Sequence, residues 1–330
     1  MLLLFLLVLI IPSCNAQQTL ESADITAHNV SEENAILSIS KDNMLKTIKD
    51  ISTSPHPINS EQIKETELYI KNCFMDFGYD NIESQIFEYN DENNEYAIRR
   101  SSQLDIYLAP TADQTNVDGV GSNIIATKKA EKDTKKTLIV SAHYDSTENS
   151  YGANDNGSGV AIVLELARIT ESTNLPYNIT FVLFSGEEKF MLGSRWYVNA
   201  LSEEERQNTI GLINIDSVAE KSDLGYLIML YGDNKAVNIE YTPENYDKLT
   251  ELYRNNISNL FIDDRFELTM AINSDHYPFA RVYIPAISIV QDWQEGLNAN
   301  SDNDIIQNID ANRLVEVASK IIHAVYNVSY

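Results

Sequence analysis

Acidic and histidine side chains capable of binding a metal follow three apolar runs typical of buried strands. His143 and Asp145 follow TLIVSA, Glu187 and Glu188 follow ITFVLF, and Asp216 follows GLINI. Imidazole and carboxylate groups are common ligands of divalent cations in proteins. Carboxylates brought close together repel one another unless a cation neutralises them. These residue types therefore predict a divalent metal site, provided that the fold gathers them at one place.

A fourth segment adds another carboxylate. Asp155 lies in the loop GANDNGSG, directly before the helical stretch Val160 to Ile169. Taken singly, each of these motifs has a simpler explanation as a solvated turn or an open loop. Together they favour a site, because ligands in open α/β sheets collect outside the carboxyl ends of the strands.

The adjacent pair Glu187 and Glu188 indicates a division of labour. If the two residues occupy consecutive extended positions, their side chains point in opposite directions. One carboxylate can then bind metal while the other moves protons. A carboxylate beside an activated water can take its proton and later protonate a leaving amine. This chemistry hydrolyses amide bonds.

The elements that would position these groups alternate between strands and helices. Short, β-branched apolar runs predict strands at Asn123–Thr127, Thr137–Ala142, Ile179–Phe184, Gly211–Ile215, Tyr226–Leu230 and Ala286–Val290. Helical periodicity is found at residues 45–51, 63–77, 160–169, 244–256 and 314–325. The alternation predicts an α/β fold: a single three-layer domain whose mostly parallel, mixed sheet carries helices on both faces.

Composition excludes several classes of function. The chain has 330 residues and a formal net charge of −25, so its surface repels nucleic-acid phosphates, and no nucleic-acid partner is expected. With 43% hydrophobic residues it is globular rather than disordered. Cys14 and Cys73 are the only cysteines, which excludes a thiolate zinc finger.

The first residues predict export. Leu2 to Ile11 form an apolar run that is too short for a membrane span, which needs about 20 residues, but fits a signal peptide ending at Ala16. A lipid-bearing Cys14 is the alternative. We therefore expect a signal peptide at 1–16, a polar segment at 17–40 and the single domain at 41–330. The expected location is secreted, extracellular or periplasmic, with no stable membrane span.

Five motifs resemble those of the co-catalytic zinc aminopeptidase family, which includes leucyl-type aminopeptidases, glutamate carboxypeptidases and glutaminyl cyclases. They read SAHYDS, YGANDNGSGVAIVLELAR, FVLFSGEEKFMLGSRWY, NIDSVA and SDHYPFA. They occur in the family's order, and the similarity extends from about Met44 to the end of the chain. The resemblance implies a zinc-exopeptidase fold and two zinc ions.

The resemblance also implies a role for each site residue. His143 and Asp216 would bind the first zinc, Asp155 would bridge both, Glu188 would bind the second, and Glu187 would be the general base. Asp145 would hold His143 in one tautomer, as metal-bound imidazoles require. The family pattern also includes a cis peptide after the bridging aspartate, here between Asp155 and Asn156.

One expected ligand is missing. The family has a late histidine between the last strand and the final helix, but this region reads LNANSDNDIIQNID. Counting back from Asn308 places Asn300 at the ligand position. Asp302, Asp304 or His276 are alternative substitutes, and the spacing does not choose among them.

These features predict a secreted, zinc-dependent aminopeptidase acting on peptides. Carboxypeptidase polarity stays open, because it depends on whether the pocket binds an amine or a carboxylate. Glutaminyl cyclisation is a second reading, disfavoured because that branch uses one zinc held by an Asp, a Glu and the late histidine. A non-catalytic binding or scaffold protein is a third reading. The missing imidazole supports it, and the intact Glu187 and Glu188 pair opposes it.

Overall fold

The computed structural model describes residues 30–91, 117–231, 254–293 and 298–330, together with 247, 250 and 251. The predicted signal peptide, Cys14 and most of the predicted helix at 244–256 lie outside these residues. Among the described residues, no helix has both the length and the apolar character needed to cross a membrane.

The described strands form one eight-stranded sheet. They are β1 (Ile82–Tyr89), β2 (Gly119–Lys128), β3 (Thr137–His143), β4 (Asn178–Phe184), β5 (Thr209–Asp216), β6 (Tyr226–Leu230), β7 (Phe266–Met270) and β8 (Ala286–Gln291). Their order across the sheet is β1-β2-β4-β3-β5-β8-β6-β7. The central strands β4, β3, β5 and β8 are parallel, while β2 and β6 run antiparallel to their neighbours β4 and β8. The predicted mixed, mostly parallel sheet is confirmed.

Helices precede β1, occupy several of the connections between strands and follow β8. They are α1 (Glu32–Leu37), α2 (Lys41–Ile51), α3 (Glu61–Asp76), α4 (Gly157–Thr170), α5 (Leu192–Ala200), α6 (Glu203–Asn208), α7 (His276–Arg281) and α8 (Ala311–Asn327). Two short 3-10 helices lie at Ser258–Leu260 and Ile306–Asn308. Helix α1 falls within the segment predicted to be polar and packs against α8.

The sheet separates two apolar cores. Along β3, Leu138 and Val140 contribute to the larger core, which also contains residues of α2, α3, α4 and α8. Ile139, between them, contributes to a second core shared with α5 and α7. Alternate strand residues face opposite sides of a sheet, so β3 is buried on both faces. The predicted three-layer architecture is confirmed.

Helix α4 begins very close to the end of β5. The side chain of Asn156 caps the helix by accepting a hydrogen bond from Gly159 N and donates one to Ile215 O, at 3.0 and 2.8 Å. A Cβ at Gly159 would lie 2.4 Å from Asn156 Oδ1 and 2.6 Å from Ile215 O. Only glycine fits there, and this close approach places the loop before α4 against the carboxyl ends of the central strands.

Candidate metal centre

Three predicted ligands meet at the carboxyl ends of β3 and β5. His143 Nε2 lies 3.2 Å from Asp155 Oδ1 and 3.6 Å from Asp216 Oδ1. Among the described residues, this trio forms a group whose possible ligand atoms all lie within 4.8 Å of one another. His143 Nε2 is buried and makes no hydrogen bond. We call these three residues the histidine side of the site.

The other nitrogen of His143 is committed to the backbone. Nδ1 lies 3.1 Å from the carbonyl oxygen of Asp145, and since a carbonyl can only accept, Nδ1 carries the proton of the neutral imidazole. The Asp145 carboxylate lies farther away, at 3.6 Å. The lone pair of Nε2 is therefore directed toward Asp155 and Asp216. The predicted control of the tautomer falls to the backbone of Asp145 rather than to its carboxylate.

The Asp145 carboxylate instead holds the glutamate pair. Its two oxygens accept hydrogen bonds from the backbone N–H groups of Glu187 and Glu188, at 3.1 and 3.3 Å. The pair lies in a turn, where Met191 N donates to Glu187 O at 2.8 Å. The condition of consecutive extended positions is therefore not met by these two residues. Asp145 nevertheless links the segment that follows β3 to the segment that follows β4 and carries both glutamates.

Three buried side chains orient Asp216. Ser274 Oγ donates to Asp216 Oδ2 at 2.6 Å, and Ser217 Oγ donates to Oδ1 at 3.1 Å. Asn214 Nδ2 in turn donates to Ser274 Oγ at 2.9 Å. No sequence pattern indicated these roles, although Ser274 is the first residue of the SDHYPFA motif. Fixed outer hydrogen bonds of this kind typically orient metal-binding carboxylates.

The buried carboxylates of the histidine side favour a positive charge beside them. Burial alone lowers the pKa of His143, but the neighbouring carboxylates Asp145, Asp155 and Asp216 outweigh it and raise that pKa well above its ordinary value. Burial would raise the pKa of Asp216, yet the neighbouring His143 and the hydrogen bonds from Ser274 and Ser217 bring it below its usual value. The site thus stabilises a cation among its carboxylates, whether a proton or a metal ion.

These residues fit a divalent metal ion. An unpaired imidazole nitrogen with its second nitrogen fixed, and two convergent carboxylates, form the nitrogen and oxygen donor set that zinc uses in catalytic sites. The peptide bond between Asp155 and Asn156 is cis, as the family resemblance implies.

Glu188 lies outside the trio and has another partner. With its amide nitrogen facing Glu188, Asn300 donates to Oε1 and Oε2 at 2.8 and 3.2 Å, and to Thr147 Oγ1 at 3.3 Å. Burial and the nearby charge of Asp155 raise the pKa of Glu188 to about 9. We call Glu188 and Asn300 the amide side. In this orientation the residue at the expected ligand position donates hydrogen bonds to Glu188.

The other three candidates for the missing ligand have different surroundings. Asp304 is buried and accepts hydrogen bonds from the backbone N–H groups of Asn154 and Asp155, at 2.6 and 3.0 Å. Asp302 is exposed. His276 is buried with Nε2 placed 3.0 Å from the carbonyl oxygen of Ala271. Asp304 thus secures the loop that carries Asp155.

A cavity of 310 Å³ opens beside both sides of the site. Four carboxylates line it, those of Asp155, Glu187, Glu188 and Asp216. Burial raises the pKa of Glu187 well above its usual value. Met229, Val290 and Trp293 belong to its apolar lining, called here the apolar wall. Among the described residues that line this cavity there is no Lys or Arg.

An open α/β sheet with an imidazole and carboxylates at the ends of its central strands is the arrangement that metal-assisted hydrolysis requires. A family model described as peptidase family M28 matches residues 123–325. The chain therefore belongs to peptidase family M28, and the resemblance seen in the motifs is confirmed.

Related sequences include aminopeptidase YwaD of Bacillus subtilis, which is 31% identical over 243 residues covering 70% of this chain and 48% of that protein. Leupeptin-inactivating enzyme 1 of Streptomyces exfoliatus is 31% identical over 173 residues, covering 52% of this chain and 36% of that protein. The chain thus spans about half, or less, of the length of these curated relatives.

Solved structures share the fold. An aminopeptidase from Aneurinibacillus sp. strain AM-1 superposes with a TM-score of 0.71 at 19% identity, covering 90% of this chain and 96% of that one. The glutaminyl cyclase of Bacteroides thetaiotaomicron gives a TM-score of 0.59 at 18% identity, covering 92% and 99% of the two chains. The predicted zinc-exopeptidase-like fold is confirmed.

Proposed function

We propose that this chain is a zinc-dependent aminopeptidase that hydrolyses the first peptide bond of peptides. The observation that carries the proposal is the buried, unpaired Nε2 of His143 facing Asp155 and Asp216 at the edge of a cavity that also holds Glu187. His143, Asp155 and Asp216 would hold the ion. When bound there, zinc supplies Lewis acidity toward a water molecule and the scissile carbonyl.

Glu187 would move the protons of this reaction. Its carboxylate borders the cavity beside the histidine side, where it can take a proton from the attacking water and return it to the leaving amine. Asp145 would position both partners, because its carbonyl fixes the His143 tautomer and its carboxylate fixes the backbone of Glu187. Asp145 is therefore a positioning residue in this scheme.

The cavity supports aminopeptidase rather than carboxypeptidase polarity. Its acidic lining attracts a free α-ammonium and repels a free carboxylate. The apolar wall of Met229, Val290 and Trp293 can receive an apolar side chain from the first residue of the substrate. We propose that peptides beginning with an apolar residue are the preferred substrates.

We further propose export by the segment 1–16, on the strength of the apolar run at Leu2–Ile11. Sequencing the N terminus of protein recovered outside expressing cells would test it. Cleavage between Ala16 and Gln17 is the expected result, and a lipid-modified Cys14 would support the anchored alternative.

Hydrolysis of aminoacyl chromogenic substrates by purified protein tests the activity. We expect turnover with zinc, loss of turnover with a chelator, and recovery when zinc is restored. Turnover that persists after complete removal of metal would contradict the proposal. Cyclisation of an N-terminal glutamine without peptide hydrolysis would support the cyclase reading, and metal binding without either reaction would support the scaffold reading.

A further inference from the structure

The cavity holds more negative charge than one divalent ion neutralises. Four carboxylates line it, giving −4 when all are ionised, and one divalent ion beside neutral His143 leaves −2. The buried His143 Nε2 shows where that ion belongs, because it lies 3.2 and 3.6 Å from carboxylate oxygens of Asp155 and Asp216 and makes no hydrogen bond. Asp155 and Asp216 balance that ion, so a second positive group is favoured beside Glu187 and Glu188 when their carboxylates are ionised.

The amide side is poorly suited to a second zinc. Asn300 offers a carboxamide instead of an imidazole, and in the orientation with its nitrogen toward Glu188 it donates to both oxygens of that carboxylate. To bind a cation through its oxygen, Asn300 would have to turn and give up these bonds and the one to Thr147. Glu188 also lies outside the group of atoms that converge within 4.8 Å. Imidazole is a donor that suits zinc, whereas a set made only of carboxylate and carbonyl oxygens suits magnesium, calcium or manganese better.

The amide side is well suited to an ammonium group. A carboxylate has about four lone-pair positions, so Glu188 can accept from Asn300 and still accept N–H bonds from a ligand. It faces the same cavity as the apolar wall and the histidine side. A peptide N terminus bound at Glu188 would therefore have its first carbonyl close to the histidine side and its side chain close to Trp293.

We propose that this chain holds a single zinc ion, on the histidine side, and that the α-ammonium of the substrate occupies the amide side and pairs with Glu188. The inference rests on the proposed aminopeptidase function. It replaces the second-metal role that the family resemblance implies for Glu188. Asn300 then acts as a positioning residue that keeps Glu188 directed into the cavity.

Metal content and amine binding test the inference together. The protein carrying Glu187→Gln, which prevents turnover, is saturated with zinc, dialysed and analysed by plasma mass spectrometry. We expect one equivalent. Calorimetric titration should show L-leucinamide binding at least about tenfold more tightly than N-acetyl-L-leucinamide, since only the former carries a charged amine.

Adding Glu188→Gln to the same protein separates the two roles of that residue. We expect the preference for the free amine to fall to less than about threefold while one equivalent of zinc is retained. Two equivalents before this change, loss of zinc because of it, or equal binding of the two amides at the outset would each overturn the inference. Circular dichroism and thermal unfolding verify that the variant is folded.

Asn300→His gives an independent measurement in the opposite direction. An imidazole should create a second zinc position, so we expect two equivalents of zinc and a weakened preference for the free amine. Failure of this variant to gain zinc would contradict the idea that Asn300 determines the number of bound zinc ions.

Hydrolysis by the unaltered chain is measured separately. Amine-selective binding without hydrolysis would remove the proposed reaction and keep this inference, whereas hydrolysis with two bound zinc ions would do the reverse.

Discussion

The two sides of the site are built from different parts of the fold. On the histidine side, His143 and Asp216 are the last residues of central strands, and Asp155 immediately precedes the cap of α4. On the amide side, Glu188 comes from a turn and Asn300 from the loop before α8, where its φ of 58° lies in the left-handed region.

The supporting hydrogen bonds differ in the same way. Asp216 is held by Ser274 and Ser217, and Ser274 is itself held by Asn214, all of them buried. Outside the backbone contact with Asp145, Glu188 is held by Asn300. Ligands at strand ends that are held by a buried polar network form a fixed cation site. A ligand in a loop can be replaced by a hydrogen-bond donor such as Asn300, because the loop lies outside the sheet.

The largest expected effect concerns Glu187, the proposed proton acceptor, which lines the cavity shared by the two sides. Replacing it by Gln removes the proton acceptor while keeping the shape, and kcat should fall by about 10³-fold. Zinc content, measured on the same preparation, should stay unchanged because Glu187 is not among the three proposed ligands. Retention of a tenth or more of the original kcat would show that another group is the base.

A second test asks whether the buried hydrogen bonds around Asp216 determine the zinc affinity of the histidine side. Ser274→Ala removes the hydrogen bond to Asp216 Oδ2, and zinc affinity should fall by about 10- to 100-fold, as determined by competition with a chromogenic chelator. Ser288→Ala is the matched control, because Ser288 contacts Asn214 and Ser274 within the same network. Equal losses in the two variants would mean that general packing is responsible.

A third test concerns the loop that joins the two sides. In Asp304→Asn, one acceptor oxygen becomes an NH2 group, so the N–H of Asn154 or of Asp155 loses its partner. Leaving a buried N–H unpaired should lower the free energy of unfolding by about 1–3 kcal/mol. Urea unfolding provides the measurement. Asp302→Asn, at an exposed position, is the control. An equal change in the free energy of unfolding of both variants would argue against a role of Asp304 in holding the loop that carries Asp155.

The smallest effect is expected at the apolar wall. Trp293 is 43% exposed, and Trp293→Ala should remove about 1 kcal/mol of apolar contact with a substrate that begins with leucine. Steady-state kinetics should show KM rising by about fivefold with kcat little changed. A substrate beginning with glycine should show no change, and an equal rise for both substrates would place the side chain elsewhere.

Sequence patterns predicted the centre of the fold better than its edges. The six predicted strands are all present, because strands buried on both faces are continuous apolar runs. Strand β1 was missed since it pairs only with β2 among the described strands and exposes Ile86, so its pattern mixes polar and apolar residues. Strand β7, only five residues long, carries the exposed Glu267.

The site followed the same rule. Residues directly after predicted strands could be placed at one edge of the sheet, and His143 and Asp216 do meet there. The partners that support them come from distant segments: Ser274 is 58 residues from Asp216, and no local pattern marks that contact. Counting placed Asn300 at the ligand position, but only the structure shows its amide against Glu188.

Asp145 links two strands whose relative motion would otherwise disturb the site. The backbone N–H of its neighbour Tyr144 donates to Phe184 O on β4, and the Asp145 carboxylate reaches past that point to the Glu187 backbone. The Asp145 carboxylate therefore resists displacement of β3 along β4 at the end of the sheet where His143 and Glu187 lie. One residue thus holds the imidazole and the proton acceptor to one another.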